Sequence, residues 1–301
     1  MKQRDLRVKG LILAVCSMII YGLNPIFAHY FVKNIDPLLL GGLSLIIASL
    51  PLLFHVKFYR KIRFTQKKIF LHPLFFIVFF ASIAEMLFYI GTKLTSGINT
   101  ALLIQIEPIY SIILASVFLG EIIKIRQIFA ILTIVTGAAV VIYKGSAALN
   151  LGDVLVILSP LFYQLSHLNA KRIINKVPDE NIIPGVRLFY AGALLTILAL
   201  VGNPLSFYQL FSLVNVASIV MYGIYLSLDY FLWYQVLKRL PLPIASAFLP
   251  FAVFVSLFGA TVFLKEPIVF HQYIGILFIV VGLLWLSTTY IRYSIKKDKV
   301  G

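Results

Sequence analysis

The sequence predicts an all-α polytopic membrane protein. Ten transmembrane helices form two inverted five-helix repeats, with the N- and C-termini cytoplasmic. Three observations carry this. The 301-residue chain is 61% hydrophobic and 12% charged, whereas soluble domains hold roughly 45–50% apolar and about 25% charged residues. Lys and Arg concentrate in alternate loops. The two halves of the chain also align with each other.

The elements follow in order. Runs of about 20 mostly apolar residues, long enough to span a bilayer, fall at 10–31, 37–55, 72–92, 98–119, 126–143, 152–170, 182–201, 215–237, 243–264 and 270–290. The first follows 2-KQRDLRVK-9, but it is too long for a signal-peptide core and has no small-x-small cleavage pattern, so it reads as a retained span. Connectors are short. The longest polar one is 56-VKFYRKIRFTQKK-68, which leaves no room for a soluble domain.

Orientation follows from the Lys and Arg of short loops. With the N-terminus in the cytoplasm, the two tails and the even-numbered loops hold 21 of the 26 Lys and Arg. The opposite side holds Lys33, Lys93, Lys144 and Lys265, and Arg187 remains near a span end. One missed or false span would scramble this alternation. The net charge of +15 is therefore a topology signal and not a nucleic-acid footprint. The basic loop 56–68 can also touch anionic lipid. The single cysteine, Cys16, rules out an intramolecular disulfide.

The repeat is read by sliding the chain against itself by 145 residues. Then 111-SIILASVFLGEIIKIRQIFAILTIVTG-137 falls on 256-SLFGATVFLKEPIVFHQYIGILFIVVG-282 without a gap, matching Glu121 with Glu266, Gln127 with Gln272 and Gly137 with Gly282. At an offset of 142, Gly10, Ser17, Tyr21, Leu23 and Ala28 fall on Gly152, Ser159, Tyr163, Leu165 and Ala170. Each copy holds five spans, an odd number, so the second copy enters the membrane from the other side. The halves are 1–147 and 148–301. Inverted repeats recur in secondary transporters, with the site near mid-membrane between them.

The run 105-QIEPIYSIILASVFLGE-121, with 21-YGLNP-25 in the first span and 264-LKE-266 followed by Gln272 and Gly275, resembles the EamA-type repeat of the drug/metabolite transporter superfamily. The resemblance covers nearly the whole chain and implies ten helices, two repeats and transport of small metabolites. Tyr21 stands where that family often has Trp, and Ala252-Val253 stands where a second Glu-Pro pair would lie.

Several residues are candidates for a substrate cavity. Glu107, next to Pro108 and two residues after Gln105, sits mid-span. An acid at that depth costs roughly 2.5–3.5 kcal/mol on insertion scales, so it should face a lumen or a partner. Pro108 frees a carbonyl one turn back, and Pro250 lies one turn from the equivalent place, so both repeats can bend near mid-depth. The alternative is a neutral Glu107 that only ties helices together.

Glu85 lies on one stripe with Tyr89 and Thr92, and Asp229 lies on one with Tyr222, Tyr225 and Trp233. Polar stripes of this kind turn towards the bundle interior. Such acids can exchange a proton, hold a substrate amine, or serve only as bonded structural groups. Tyr21 and Asn24 in the first span and Tyr163 and His167 in the sixth extend the candidate cavity; an intramembrane His is also a common packing residue. Glu121 and Glu266 read as helix-end or gate residues.

The function expected is a secondary active transporter that moves a small polar metabolite, with amino acids and related compounds first, by alternating access. A non-transporting membrane scaffold and an intramembrane enzyme are the alternatives. The enzyme lacks an H-E-x-x-H pair and a G-x-S-x-G elbow. The partners are a small-molecule substrate, protons as the candidate coupling ion, and the lipid bilayer of a bacterial-type inner membrane. A homodimer is left open by Gly275 and Gly282, whose contact could be within or between chains. No cofactor, metal or nucleic acid is called for.

Overall fold

The computed structural model describes residues 2–54, 68–119, 123–142, 150–173, 182–239 and 249–298. The helices are α1 (Lys2–Val32), α2 (Pro37–Phe54), α3 (Lys68–Leu94), α4a (Gly97–Leu103), α4b (Glu107–Leu119), α5 (Ile125–Ile142), α6 (Leu151–Ile173), α7 (Ile182–Gly202), α8 (Leu213–Arg239), α9 (Leu249–Gly259) and α10 (Phe270–Asp298). A 3-10 turn, Ile104–Ile106, joins α4a to α4b, and one π-helical turn, Ala260–Leu264, extends α9. Among the described residues, nine helices are long and apolar enough to cross a membrane, and Phe251–Leu264 adds a shorter apolar helix. The start of the ninth predicted run, 243–248, lies outside the described residues. The chain is a multi-pass integral membrane protein.

Helix starts are set by local polar chemistry. Asp36 accepts hydrogen bonds from the N–H groups of Leu38 and Leu39 at 3.0 and 3.1 Å, with Pro37 opening α2, so the first turn's orphan donors are satisfied. Ser96 does the same for Asn99 of α4a, and Asn150 for Gly152 of α6.

These caps all lie at one end of the bundle, and hydrogen bonds tie them together. Lys93 donates to the Val32 and Lys33 carbonyls, Asn150 to the Leu94 carbonyl, Asp36 N–H to Gln209, and Gly97 N–H to Glu266. The described parts of the odd-numbered connectors, those poor in lysine, thus gather on one face. The second half starts from the face at which the first half ends, so the two halves run antiparallel.

The connector after α7 carries structure of its own. It is a 3-10 helix, Pro204–Phe211, with Leu205, Phe207, Tyr208 and Phe211 exposed. Pro204 starts it, and its aromatic side chains suit the membrane–water boundary.

The helix contacts repeat under exchange of the halves. α2 packs on α7 and α5 on α10, the pairs that a two-fold axis in the membrane plane maps onto themselves. Contact of α3 with α6 answers that of α8 with α1, and α2 with α8 answers α7 with α3. Small residues let the self-paired helices approach. Gly137 meets the Gly275 backbone, and at the equivalent place Gly282 meets Ala130, so Gly275 and Gly282 serve contacts within the chain. Gly42 and Gly192 face each other across α2 and α7, where a Cβ on Gly192 would sit 2.6 Å from the Gly42 carbonyl oxygen. Gly192→Val is expected to cost about 1–3 kcal/mol by overpacking. Thermal unfolding of the detergent-solubilised protein checks this.

Candidate functional site

The break in the fourth span has a local cause. Pro108 has no N–H to offer the Ile104 carbonyl, and the Glu107 N–H takes it instead in a 3-10 bond. Glu107 therefore opens α4b at a change of helix type.

Its carboxylate joins both halves. Glu107 Oε2 accepts from the Tyr21 hydroxyl at 3.0 Å, and Oε1 accepts from Gln164 Nε2 at 2.6 Å. Tyr21 is on α1 and Gln164 on α6, the two helices that the repeat equates. The sequence mate of Tyr21, Tyr163, hydrogen-bonds Glu85, which also accepts from Tyr230 at 3.2 Å.

Arg187 lies beside this pair. It is only 2% exposed, and its guanidinium carbon lies 5.4 Å from the Tyr163 ring centre and 5.7 Å from that of Tyr230. Its Nη1 is 2.8 Å from His167 Nε2. It acts electrostatically on both Glu85 and Glu107. Cation–π contacts of a desolvated guanidinium contribute on the order of 2 kcal/mol, so the two rings help hold a charge at a depth where it is otherwise costly.

On α8, buried Asp229 stands electrostatically against Tyr21, Tyr222 and Tyr225. The Tyr222 hydroxyl donates to Asn24 Oδ1 at 2.7 Å, the Tyr89 hydroxyl lies 3.4 Å from it, and Tyr225 bonds the Ile20 carbonyl. The Tyr222 and Tyr225 rings stack with centres 6.0 Å apart. The arrangement offers three carboxylates, one guanidinium and a wall of tyrosines. By their chemistry a guanidinium pairs with carboxylates, and a carboxylate pairs with ammonium groups.

Tyr21, Asn24, Glu85, Tyr89, Glu107, Tyr163, His167 and Asp229 thus share one region between the halves. Gln105 is buried inside the 3-10 turn, and Trp233 packs on a separate apolar cluster with Leu13, Ala14 and Val236. Pro250 lies in the first turn of α9, and its side chain is outside the described residues. Sequence reasoning missed Arg187, which charge counting left near a span end. The available signal was a lone arginine with an apolar run immediately after it.

A second polar assembly sits at the lysine-poor face. Buried Asp153 accepts from Thr95 and, at 3.0 Å, from Asn99, whose Oδ1 accepts from Gln272 at 3.0 Å. Glu266 accepts from the N–H groups of Gly97 and Ile98 at 3.1 and 3.0 Å, and its Oε1 is 3.3 Å from His29 Nε2. Burial pushes the Glu266 carboxyl up, but its bond with His29 and those two backbone donors outweigh burial and leave it below the usual carboxylate range. Glu121, its sequence mate, lies outside the described residues.

The model of the EamA-like transporter family matches residues 8–143 and 150–288. Over 95% of its length the chain is 23% identical to an uncharacterized transporter of Methanothermobacter thermautotrophicus, covering 87% of that protein. Over 96% it is 24% identical to an Escherichia coli protein named "Probable amino-acid metabolite efflux pump", covering 98% of it. An uncharacterized transporter of Bacillus subtilis is 26% identical over 89% of this chain and 83% of its own. A solved crystal structure superposes with a TM-score of 0.69 at 14% identity, covering 95% of this chain and 99% of that one, which shows a shared fold alone.

Proposed function

Since the chain belongs to the EamA-like transporter family, we propose that it is a secondary active transporter of an amino acid or a closely related polar metabolite, driven by protons. The halves, 1–147 and 148–301, rock about the tyrosine-walled cluster and open it to alternate faces, the mode that inverted repeats support. The observation that carries this reading is that Arg187, Glu85 and Asp229 all act electrostatically on Tyr230, and Glu107 and Asp229 on Tyr21, so charged groups from both halves meet at the same tyrosines. A zwitterion brings a carboxylate for the guanidinium and an ammonium for an acid. Charged groups inside a membrane bundle mark substrate and ion pathways by default, and a scaffold has no use for so costly a set. The name of the Escherichia coli relative agrees in substrate class.

The test is uptake into proteoliposomes. The twenty L-amino acids are offered with and without an imposed pH gradient. Uptake of at least one, accelerated by the gradient, is expected; no gradient-dependent uptake of any would overturn the reading. Glu107→Gln keeps an acceptor for Tyr21 but loses the charge. It is expected to lower uptake several-fold at near-wild-type expression, whereas loss of folded protein would mark Glu107 as a packing residue.

A further inference from the structure

At the lysine-poor face, one contact ties the first half to the second through ionisable groups. His29, near the end of α1, has its Nδ1 2.9 Å from the Thr92 carbonyl oxygen and its Nε2 3.3 Å from Glu266 Oε1. A carbonyl can only accept. The Glu266 carboxylate, already accepting from Gly97 and Ile98 N–H, also accepts. Both ring nitrogens face acceptors, so the contact is fully made only when both carry a proton.

Glu266 in turn sits on the N-terminus of α4a, the helix that leads to the break at Glu107. The connector that carries Glu266 is irregular on its near side: the π-helical turn Ala260–Leu264 is followed by Lys265 at φ 55°, the one described non-glycine residue with positive φ. Single π turns mark functional places in helices, and a left-handed lysine is held only by its surroundings. The sequence carries the same charge pattern in the other half. The offset of 142 puts His29 on Lys171, and the offset of 145 puts Glu266 on Glu121, so cation and acid recur at both equivalent positions.

We infer that His29, Glu266 and the N-terminus of α4a form a latch that closes the lysine-poor face of the transporter, and that the latch binds a proton when it closes. Acid on that face holds it shut, and opening releases the proton to the same face. Among the described residues, the other charged groups and histidines of this face are Lys33, Asp36, Lys93, Asp153, Lys265 and His271, the last half-buried at the start of α10. Lys93 donates to the Val32 and Lys33 carbonyls, Asp153 accepts from Thr95 and Asn99, Asp36 caps α2, and Lys33 and Lys265 are exposed. At the acid end Glu266 sets the limit. Its carboxyl is held low in the latch, so its contribution is intact above the ordinary carboxylate range and is lost as pH falls through its lowered value.

The inference needs only alternating access and is independent of the amino-acid assignment. Thr92, fully buried and with its carbonyl against His29 Nδ1, serves as reporter as Thr92→Cys in a Cys16→Ser background. In the intact protein in proteoliposomes, a membrane-impermeant methanethiosulfonate reagent is added from the lysine-poor face. After correction for thiolate fraction, labelling is expected to be slowest near pH 6 and several-fold faster near pH 8. His29→Lys, which carries a cation at every pH of the test, should flatten the dependence. Glu266→Gln should speed labelling at every pH.

A second arm uses Gly97→Cys with Leu264→Cys, since a Cβ on Gly97 would lie 2.1 Å from a Leu264 methyl. Oxidation of this pair should stop labelling at a separate Asn24→Cys reporter, and reductant should restore it. Equal pH profiles in wild type and His29→Lys, or unchanged labelling of Asn24→Cys after cross-linking, would overturn the latch.

Discussion

Glu85→Gln and Asp229→Asn are expected to insert and fold as the parent does, yet to lose uptake by more than about tenfold each, an effect of roughly 1.4 kcal/mol or more at the site. The amide is close to isosteric with the carboxylate. A Gln at 85 still offers an acceptor to the Tyr163 and Tyr230 hydroxyls, and Glu107 still opposes the Arg187 charge, so helix packing keeps its bonds and no buried charge is left unanswered. What disappears is the charge that a substrate ammonium or a transported proton requires. Asp229 lies in the same wall, against Tyr222 and Tyr225, on the helix the repeat equates with that of Glu85. Uptake per unit of folded protein, measured with and without a pH gradient, separates the two roles. Loss only of the gradient response assigns the acid to proton coupling, and loss of both assigns it to the substrate. Full activity in both variants would remove the acids from the mechanism.

Arg187 is expected to give the other large effect, and two substitutions divide its roles. Arg187→Gln takes the cation from between Glu85 and Glu107. Breaking a buried charge arrangement by removing one partner costs about 3–5 kcal/mol, so the folded yield should fall sharply. Arg187→Lys keeps the charge but loses the planar fork and the stacking on the Tyr163 and Tyr230 rings. It should fold, with the KM for a carboxylate-bearing substrate raised about tenfold or more and little change for the corresponding decarboxylated amine. Equal losses for acid-bearing and decarboxylated substrates would make Arg187 a structural charge.

Much of the fold is legible in the sequence because the bilayer allows few solutions: spans need length, and short loops carry their charge by side. The repeat is legible because Glu, Gln and Gly coincide where apolar matches alone would mean little. The contact of Gly137 with Gly275, answered by Gly282 with Ala130, shows that repeat in space. The polar cluster is legible in part. Stripes at helical spacing lead to Tyr21, Asn24, Glu85 and Asp229, since one face of a helix is a local property. The partners across helices are not local. Nothing in the one-dimensional pattern says that Gln164 reaches Glu107, that Tyr230 reaches Glu85 at its own repeat offset, or that Arg187 turns inward onto two rings. The cap of Glu266 on α4a is of the same kind: the two segments are 169 residues apart, and only the antiparallel threading of the halves brings them together.

That threading is open to a direct measurement. Lys124 and Val269 are both exposed, precede the fifth span of their respective halves, and are equated by the 145-residue offset. Single cysteines at the two positions, in a Cys16→Ser background, can be labelled with an impermeant maleimide on intact cells and on inside-out vesicles. Antiparallel halves put the two positions on opposite faces, and with the termini cytoplasmic position 124 reacts only in the vesicles and position 269 only on the cells. Reaction of both from the same face would contradict the inverted architecture and the alternating access built on it.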